Sequence, residues 1–453
     1  MHTDARPSLT QVPRNGALPA SYAQIGFQLL ERTRRGLRLG DSAALRLSGA
    51  LDATRLRLAL EAIARRHEPL RTTFSSGPDG PLQVVRAEPD VSLPVVPVDG
   101  IGEAELERRC EEEAARPMDL RRGPLFRAAL LRTRPAEHVL VLTVHHALTD
   151  AWSWWRVLLP ELGQWYTALG DRREPGLPPL PIQYADYSHW QRRWLECREA
   201  SAQLDYWMGR LAAPPEPPGL SPAPATPPAS GGQAARQPMR LPGRLAEAVR
   251  DLGRWERGTQ FMVMTAALLA LLHLRTGAED VVIGTRASVR TRTELEGIIG
   301  PLINVLALRA RVVGTMRFRD LLRQVRATLI AAYAHRELPF EVVVERLRQP
   351  PARARHPLFD VMVSFDQVPR QPPALAGLGV AELPYRPRAF YPLDLVLSQE
   401  GGLLDGTLVA DPRVVDDETA ALVGRQLRAL LEGAVTAPDA PLAAHRAAVR
   451  DQS

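Results

Sequence analysis

The sequence predicts an α/β chain built from two lobes. Short apolar runs rich in β-branched residues alternate along it with amphipathic segments of helical period. This alternation begins again after a proline-rich stretch, which indicates a second lobe. The 453 residues are 45% hydrophobic and 24% charged, as in ordinary globular proteins with substantial cores.

In the first half, a polar lead (1–18) precedes a predicted N-terminal lobe (19–178). One helix should begin after Pro19, with Ser21 as its N-cap. Another should begin after Asp52, which can cap it, and should end before Pro69. The predicted helices are 19–33, 52–66, 103–115 and 151–169. The predicted strands are 45–49, 70–74, 83–86, 125–131 and 139–144.

The predicted C-terminal lobe (179–453) includes a linker at 212–240. Pro214 to Pro238 holds nine prolines and two charges, too little apolar surface to fold alone. The predicted helices are 184–207, 243–257, 261–275, 318–334 and 417–431. The predicted strands are 280–284, 304–313, 358–365 and 393–397.

Composition argues against several classes of protein. The net charge of +6 comes from arginines spread over amphipathic segments, which argues against nucleic-acid binding. The longest apolar run, Phe261 to Leu274, is too short for a membrane span, and the N-terminus lacks the apolar core of a secretory signal. With only Cys110 and Cys197, no disulfide framework is expected, and the cytoplasm is the expected location.

The strongest candidates for a functional site are His145, His146 and Asp150, which follow the strand at 139–144. Successive strand side chains point to opposite faces, so the two imidazoles cannot both face one reacting atom. One is a candidate base and the other a packed residue. Both could instead be structural, satisfied by backbone groups. A metal site is not expected, because ligands from adjacent strand positions diverge.

Other chemistries lack their motifs. The sequence has no P-loop, no GxGxxG after a strand, no HExxH and no Gly-x-Ser-x-Gly elbow. Neither cysteine lies beside a histidine, so covalent nucleophilic catalysis is not indicated.

Seven motifs in one order resemble those of the condensation domains of nonribosomal peptide synthetases, from about Pro19 to Leu442. Their counterparts here are SYAQ (21–24), RHEPLRTTF (66–74), HHALTDA (145–151), YADY (184–187), Ile299-Gly300 with Asn304, HRELPFE (335–341) and RHPLF (355–359).

The resemblance implies two lobes like those of chloramphenicol acetyltransferase, forming a V-shaped pseudo-dimer with a central tunnel. Carrier proteins would supply thioesters on phosphopantetheine arms, so no intrinsic cofactor is expected. An acceptor amine, free or carrier-bound, would attack the thioester to give an amide. Ester formation with a hydroxyl acceptor and a non-catalytic carrier-protein docking module stay open.

By the same resemblance, His146 is the base or positioning residue and His145 packs inward. Asp150 makes a structural ion pair with an arginine of the second lobe, at the position of Arg290 here. An imidazole suits the task, because its ordinary pKa is the closest of the side chains to neutrality. Arg71 and Asn304, from their own motifs, support the site.

The chain departs from the family pattern at several positions. Ala151 stands where the motif has glycine; were φ positive there, its Cβ would cost roughly 1 kcal/mol, and it would narrow the space beside His146. Arg286 and Val289 are bulkier than the usual residues, and the threonine after Asn304 is missing. His356 replaces asparagine. These changes bear on substrate choice and leave donor, acceptor and chirality open.

The chain carries no adenylation or carrier module, and the short polar lead after Met1 favours a free-standing enzyme over an excised domain. A monomer is expected, because two similar lobes would suffice to form the tunnel.

Overall fold

A computed structural model describes residues 6–33, 39–217, 219, 234–347, 358–366, 368–384, 389–400 and 403–451. Most of the predicted linker and the predicted residue His356 lie outside this range. The α/β fold class is confirmed by helices and sheets throughout.

The helices are α1 (Tyr22–Thr33), α2 (Ala53–Arg66), α3 (Glu103–Ala115), α4 (Leu159–Gly170), α5 (Tyr184–Trp194), α6 (Arg198–Arg210), α7 (Gly243–Trp255), α8 (Gln260–Thr276), α9 (Phe318–Ala334), α10 (Phe340–Leu347), α11 (Asp417–Thr436) and α12 (Arg446–Arg450).

The strands are β1 (Leu18–Pro19), β2 (Gly40–Ser48), β3 (Thr72–Gly77), β4 (Gly80–Val85), β5 (Val95–Pro97), β6 (Phe126–Arg134), β7 (Glu137–His145), β8 (Ala235–Pro238), β9 (Asp280–Ser288), β10 (Ile303–Arg311), β11 (Val361–Asp366), β12 (Gly379–Glu382), β13 (Leu393–Glu400) and β14 (Leu403–Ala410).

The chain divides into two compact units, each assembled from three segments. Unit 1 comprises Met1–Ser201, Ser288–Ile303 and Val368–Arg386, and unit 2 comprises Ala202–Ala287, Asn304–Gln367 and Pro387–Ser453. The predicted lobes, divided at 178, differ from these units, because two segments distant in sequence pack into unit 1.

Unit 1 has a five-stranded sheet in the order β12-β2-β7-β6-β5 and a three-stranded sheet in the order β1-β4-β3. Along β2 the side chains of Ala43, Leu45 and Leu47 share one core with Leu140, Leu142 and other apolar residues. The other face of β2 and β7 belongs to a second cluster, which includes Ala44 and Val141. This alternation is that of a sheet covered on both faces.

Unit 2 has a six-stranded sheet in the order β10-β9-β11-β13-β14-β8. Strand β11 pairs in parallel with β9 and β13, whereas β14 is antiparallel to β13 and β8. The apolar run predicted as a buried helix is α8, whose residues from Val263 to His273 are all buried. In the described residues no single helix has the length and apolarity of a membrane span; only α7 and α8 together do, bent by 100°.

Two predicted helices are interrupted. Between Ser153 and Leu158 the backbone is a π-helix, ahead of α4. The wider π turn allows the adjacent Trp154 and Trp155 both to be buried. The predicted helix 184–207 is divided into α5 and α6 near Cys197, whose N–H donates to the carbonyl of Trp194 in a tighter i−3 bond.

Candidate active site

The candidate site is the loop where β7 ends, in unit 1. The backbone N–H of His145 donates to the carbonyl of Leu125 (2.9 Å), and that of His146 donates to the carbonyl of Leu39 (2.7 Å). Neighbouring strands therefore hold both histidines by their main chain. A short 3₁₀ turn, His146–Leu148, then redirects the chain.

His145 points into unit 1, with only 1% of its side chain exposed. Its Nδ1 accepts a hydrogen bond from the N–H of Ala147 (3.1 Å), so the proton of the neutral ring lies on Nε2. Nε2 donates to Oε2 of Glu31 on α1 (3.3 Å). Both ring nitrogens are thus engaged, and this histidine helps to fix the turn.

His146 is only partly buried, and its ring stacks on Phe27 of α1, with centroids 4.4 Å apart and planes 20° apart. Its Nδ1 lies 3.1 Å from the carbonyl oxygen of Thr149. A carbonyl oxygen only accepts, so Nδ1 carries the proton and Nε2 of the neutral ring keeps its lone pair. This arrangement can accept a proton at Nε2.

Asp150 is buried and accepts hydrogen bonds from several directions. It receives the N–H and hydroxyl of Ser153 (both 2.8 Å) and the N–H of Leu302 (3.0 Å). Arg290 forms a two-pronged ion pair with it, one arm being Nη2 to Oδ1 at 3.1 Å. With its acceptor positions filled in this way, Asp150 organises the backbone.

The predicted ion pair between Asp150 and Arg290 is present. The resemblance implied an arginine of the second lobe, but Ser288–Ile303, which carries Arg290, belongs to unit 1 with Asp150. Arg290 also donates to the carbonyl of Gly300 (3.2 Å) and to the hydroxyl of Ser153 (3.1 Å). The pair therefore joins two distant segments within one unit.

Gly300 shows how tightly this segment is packed. Its φ is +155°, and a Cβ there would lie 1.9 Å from the ring of Tyr184. The Tyr184 hydroxyl donates to the carbonyl of Pro301 (3.2 Å) and is 2.7 Å from the Ser21 hydroxyl. Residues of three sequence motifs therefore meet at Gly300, and any side chain at this position would disrupt their packing.

Ala151 does not carry the backbone strain considered from the sequence. It lies in a helical turn, is exposed, and is not among the described non-glycine residues with positive φ. The premise of a positive φ at this motif position is therefore wrong for this chain. Alanine is favoured over glycine in a helical turn, because it has fewer unfolded conformations to lose.

Arg71 and Asn304 each make their hydrogen bonds within their own unit. Arg71 donates to the carbonyls of Arg86 and Ala87, beside the β3–β4 pair. Asn304 lies in unit 2, where its Nδ2 donates to the carbonyls of Arg336 (2.7 Å) and Leu338 (2.6 Å) and its Oδ1 accepts from the N–H of Phe340 (3.0 Å). Each shapes a loop of its own motif.

Sequence reasoning missed three neighbours of the histidines: Phe27, Glu31 and Asp41. The i, i+4 spacing of Phe27 and Glu31 on one helix face was the available signal. Burial raises the pKa of the Asp41 carboxyl, while His146, the Trp154 indole and Arg370 act to lower it. In the described residues no group of three or more His, Cys, Asp or Glu side chains could hold a metal.

The family model for the condensation domain matches residues 16–449. One linear gramicidin synthase protein of Brevibacillus parabrevis is 38% identical over 379 residues, which are 82% of this chain and 5% of that protein. Phosphinothricin tripeptide synthetase PhsC of Streptomyces viridochromogenes is 35% identical over 98% of this chain and 42% of its own length. The chain thus spans less than half of each of these two relatives.

Among solved structures, the X-domain from teicoplanin biosynthesis has a TM-score of 0.87 at 28% identity, covering 96% of this chain and 99% of that one. The X-domain has also been solved in complex with OxyB. SgcC5 from Streptomyces globisporus has a TM-score of 0.75 at 27% identity, covering 93% of this chain and 100% of that one. With its fold, its HHxxxD loop and this match over nearly its whole length, the chain belongs to the condensation domain family.

Proposed function

We propose that this chain is a condensation enzyme of nonribosomal peptide biosynthesis, joining a carrier-protein-bound acyl or aminoacyl thioester to an acceptor amine. The observation that carries the proposal is His146, whose Nδ1–H is held by the Thr149 carbonyl so that Nε2 can accept a proton. The synthetase relatives support the reaction class.

The reaction needs one proton to move. The neutral amine attacks the thioester carbonyl carbon, a C–N bond forms, and the nitrogen loses a proton to Nε2 of His146. The C–S bond then breaks, and the leaving sulfur takes that proton to become the thiol. A side chain in this role typically accelerates a reaction by about 10²–10⁴-fold. The Phe27 ring and the Thr149 carbonyl keep the imidazole oriented.

The carrier protein would deliver the donor on its phosphopantetheine arm, which is substrate rather than a resident cofactor. The acceptor would arrive free or on a second carrier protein. We place the reaction in the cytoplasm and assign it to the monomer; the two cysteines, both unpaired and buried, are compatible with a reducing compartment.

Product formation from acyl- and aminoacyl-pantetheine thioesters, with a panel of amines and alcohols, tests the proposal. We expect His146→Ala to lower kcat by about 10²-fold or more, because the base is lost. His189→Ala, at another partly buried histidine of unit 1, is the matched control and should keep wild-type rates. Equal rates for wild type and His146→Ala would contradict the role of His146.

Two observations favour second candidates. The solved structure of SgcC5 is a complex with a diol, which favours keeping hydroxyl acceptors, and hence ester products, in the panel. The X-domain was solved together with OxyB, which favours a docking module that recruits a partner enzyme. Carrier binding without product from any acceptor would favour docking over catalysis.

A further inference from the structure

Asp41 places a carboxylate beside the candidate base. It lies on β2 directly opposite Val144 of β7, and Gly40 is opposite His145. The next residue back, Leu39, accepts the backbone N–H of His146 at 2.7 Å. Residues 39–41 therefore run alongside 144–146, and Asp41 is one strand away from the turn that presents His146.

The side chain of Asp41 faces the larger core of unit 1. Strand side chains alternate, so Asp41 shares a face with Ala43 and Leu45, which belong to that core. Val144 and Trp154 belong to it too. Asp41 is thus the polar end of an otherwise apolar row. Asp41 and His146 are each of intermediate burial as residues.

Few groups hold the Asp41 carboxylate: the Ser42 backbone N–H acts to lower its pKa, as does the Trp154 indole. Within the described residues Asp41 forms no ion pair and caps no helix. The Trp154 indole N–H lies close enough to lower the pKa of Asp41, yet it is buried and makes no hydrogen bond of good geometry in the described part of the chain. A partly buried carboxylate outside any ion pair costs stability, which favours a role towards a ligand.

Burial raises the pKa of Asp41, whereas the charges of His146 and Arg370 act in the opposite direction and favour the ionised carboxylate. Arg370 acts on Asp41, but its guanidinium stacks on Trp155 (5.6 Å to the ring centroid) and donates to Glu382 (3.3 Å). On the far side of the turn, His145 is bonded to Glu31. The group best suited to this surrounding is a small cation with N–H donors.

We propose that Asp41 binds the ammonium group of the acceptor beside His146 and so selects amines over alcohols. This inference rests on the proposed function and names the acceptor class for the same site. An alcohol carries no charge for Asp41 to attract. The bound ammonium releases one proton to water, and the resulting amine loses a second to His146 as it attacks; the thiolate takes up that second proton.

The test compares phenethylamine with 2-phenylethanol, which differ in the reacting group, using acetyl-pantetheine as donor and the full chain. A hydrogen bond to a charged group contributes about 1.5–3 kcal/mol, so Asp41→Asn should lower kcat/KM for the amine by about 10- to 100-fold, mainly through KM. The rate with the alcohol should stay unchanged. Asp171→Asn, at an exposed aspartate of unit 1, is the control.

Charge-retaining Asp41→Glu should recover part of the amine rate. The amine preference of wild type should also fall at acid pH, where Asp41 is protonated early because burial raises its pKa. The same pH series on Asp41→Asn separates this from titration of His145, His146, Glu31 and Glu382. Equal losses with amine and alcohol in Asp41→Asn would overturn the proposal.

Binding separates this proposal from the proposed function. Titration of phenethylammonium, followed by tryptophan fluorescence, needs no turnover. If wild type forms no product but binds the cation, and Asp41→Asn does not, the ammonium site stands and the proposed function fails. If product forms and both proteins bind the cation equally, the proposed function stands and the ammonium site fails.

Discussion

The Asp150 carboxylate connects several segments of the chain around the histidine turn. It joins the start of the π-helical segment to Leu302 and Arg290, 152 and 140 residues further along the chain. The side chains of Asp150 and Arg290 are only 5% and 4% exposed. Buried charges of this kind are strongly coupled, because neither can turn to water when the other is removed.

We expect Asp150→Asn to lower the free energy of unfolding by about 3–5 kcal/mol, because Arg290 is left buried without its counter-charge. Urea unfolding of the full chain measures this. Adding Arg290→Met should recover part of the loss, since the stranded charge is removed. Asp171→Asn, which breaks an exposed pair with Arg173, should cost under about 1 kcal/mol. Equal costs at the two aspartates would contradict this account.

At the scale of residues, the sequence predicted those features of the site that follow from local backbone geometry. It did not predict contacts that depend on tertiary packing. Strand alternation predicts that His145 and His146 differ in environment. In the structure His145 ends β7 and is buried, whereas His146 begins the following turn and is partly buried. Glu31 and Phe27 reach the histidines only because α1 packs against their turn. Asp41 was missed because Gly40-Asp41-Ser42 lacks the apolar pattern of a strand, although its backbone pairs fully with β7.

At the scale of elements, segments with one apolar face were predicted well. Helix α9 has the predicted bounds, and α2 begins after its predicted cap, Asp52, whose side chain accepts the N–H of Arg55. Strand β14 was missed because Asp405-Gly406 in its middle reads as a turn, whereas eight residue pairs with β13 hold it extended. Pairing between strands overrides such local preferences.

Helix α10, also missed, carries a pH-dependent group. Burial raises the pKa of Glu341 to about 7, although a backbone hydrogen bond opposes the shift. Between pH 4.5 and 7 the folded chain keeps a proton that the unfolded chain releases, so stability should fall as the pH rises through this window. The loss can reach about 3 kcal/mol.

We expect Glu341→Gln to remove this loss, because the amide does not ionise. Urea unfolding at pH 5.0 and 7.5 should show wild type losing stability relative to the variant as the pH rises. Glu345→Gln, at an exposed glutamate of the same helix, should follow wild type. A stability difference between wild type and Glu341→Gln that does not change with pH would contradict the prediction.

At the scale of the molecule, the two α/β units were predictable from the repeated order of strands and helices. Which segments of the chain belong to each unit was not predictable. Strand β12 joins the sheet of unit 1 through β2, more than 300 residues earlier in the chain. Such pairing leaves no local pattern, so the boundary predicted from composition at 178 separates β12 and Arg290 from the other segments of unit 1.

A fragment containing residues 1–201 should therefore not fold as unit 1 does. It retains β2, β7 and both histidines but lacks Arg290, Gly300 and β12. Asp150 would be buried without its partner, and one edge of the sheet would lose its last strand. We expect no cooperative urea transition and strong binding of a hydrophobic dye, in contrast to the full chain. A cooperative transition of the fragment would overturn this expectation.

The interleaving of the units also bears on how the chain is made. Synthesis proceeds from the N-terminus at about 5–20 residues per second, and domains generally fold as they emerge from the ribosome. Here the last segment of unit 1 ends at Arg386, so this unit cannot close until most of the chain has been translated. For tens of seconds one edge of β2 remains unpaired, and Asp150 remains without Arg290 as its ion-pair partner. During that interval the exposed apolar surface and the unpaired strand edge make the nascent chain prone to aggregation, and slow translation would prolong this state.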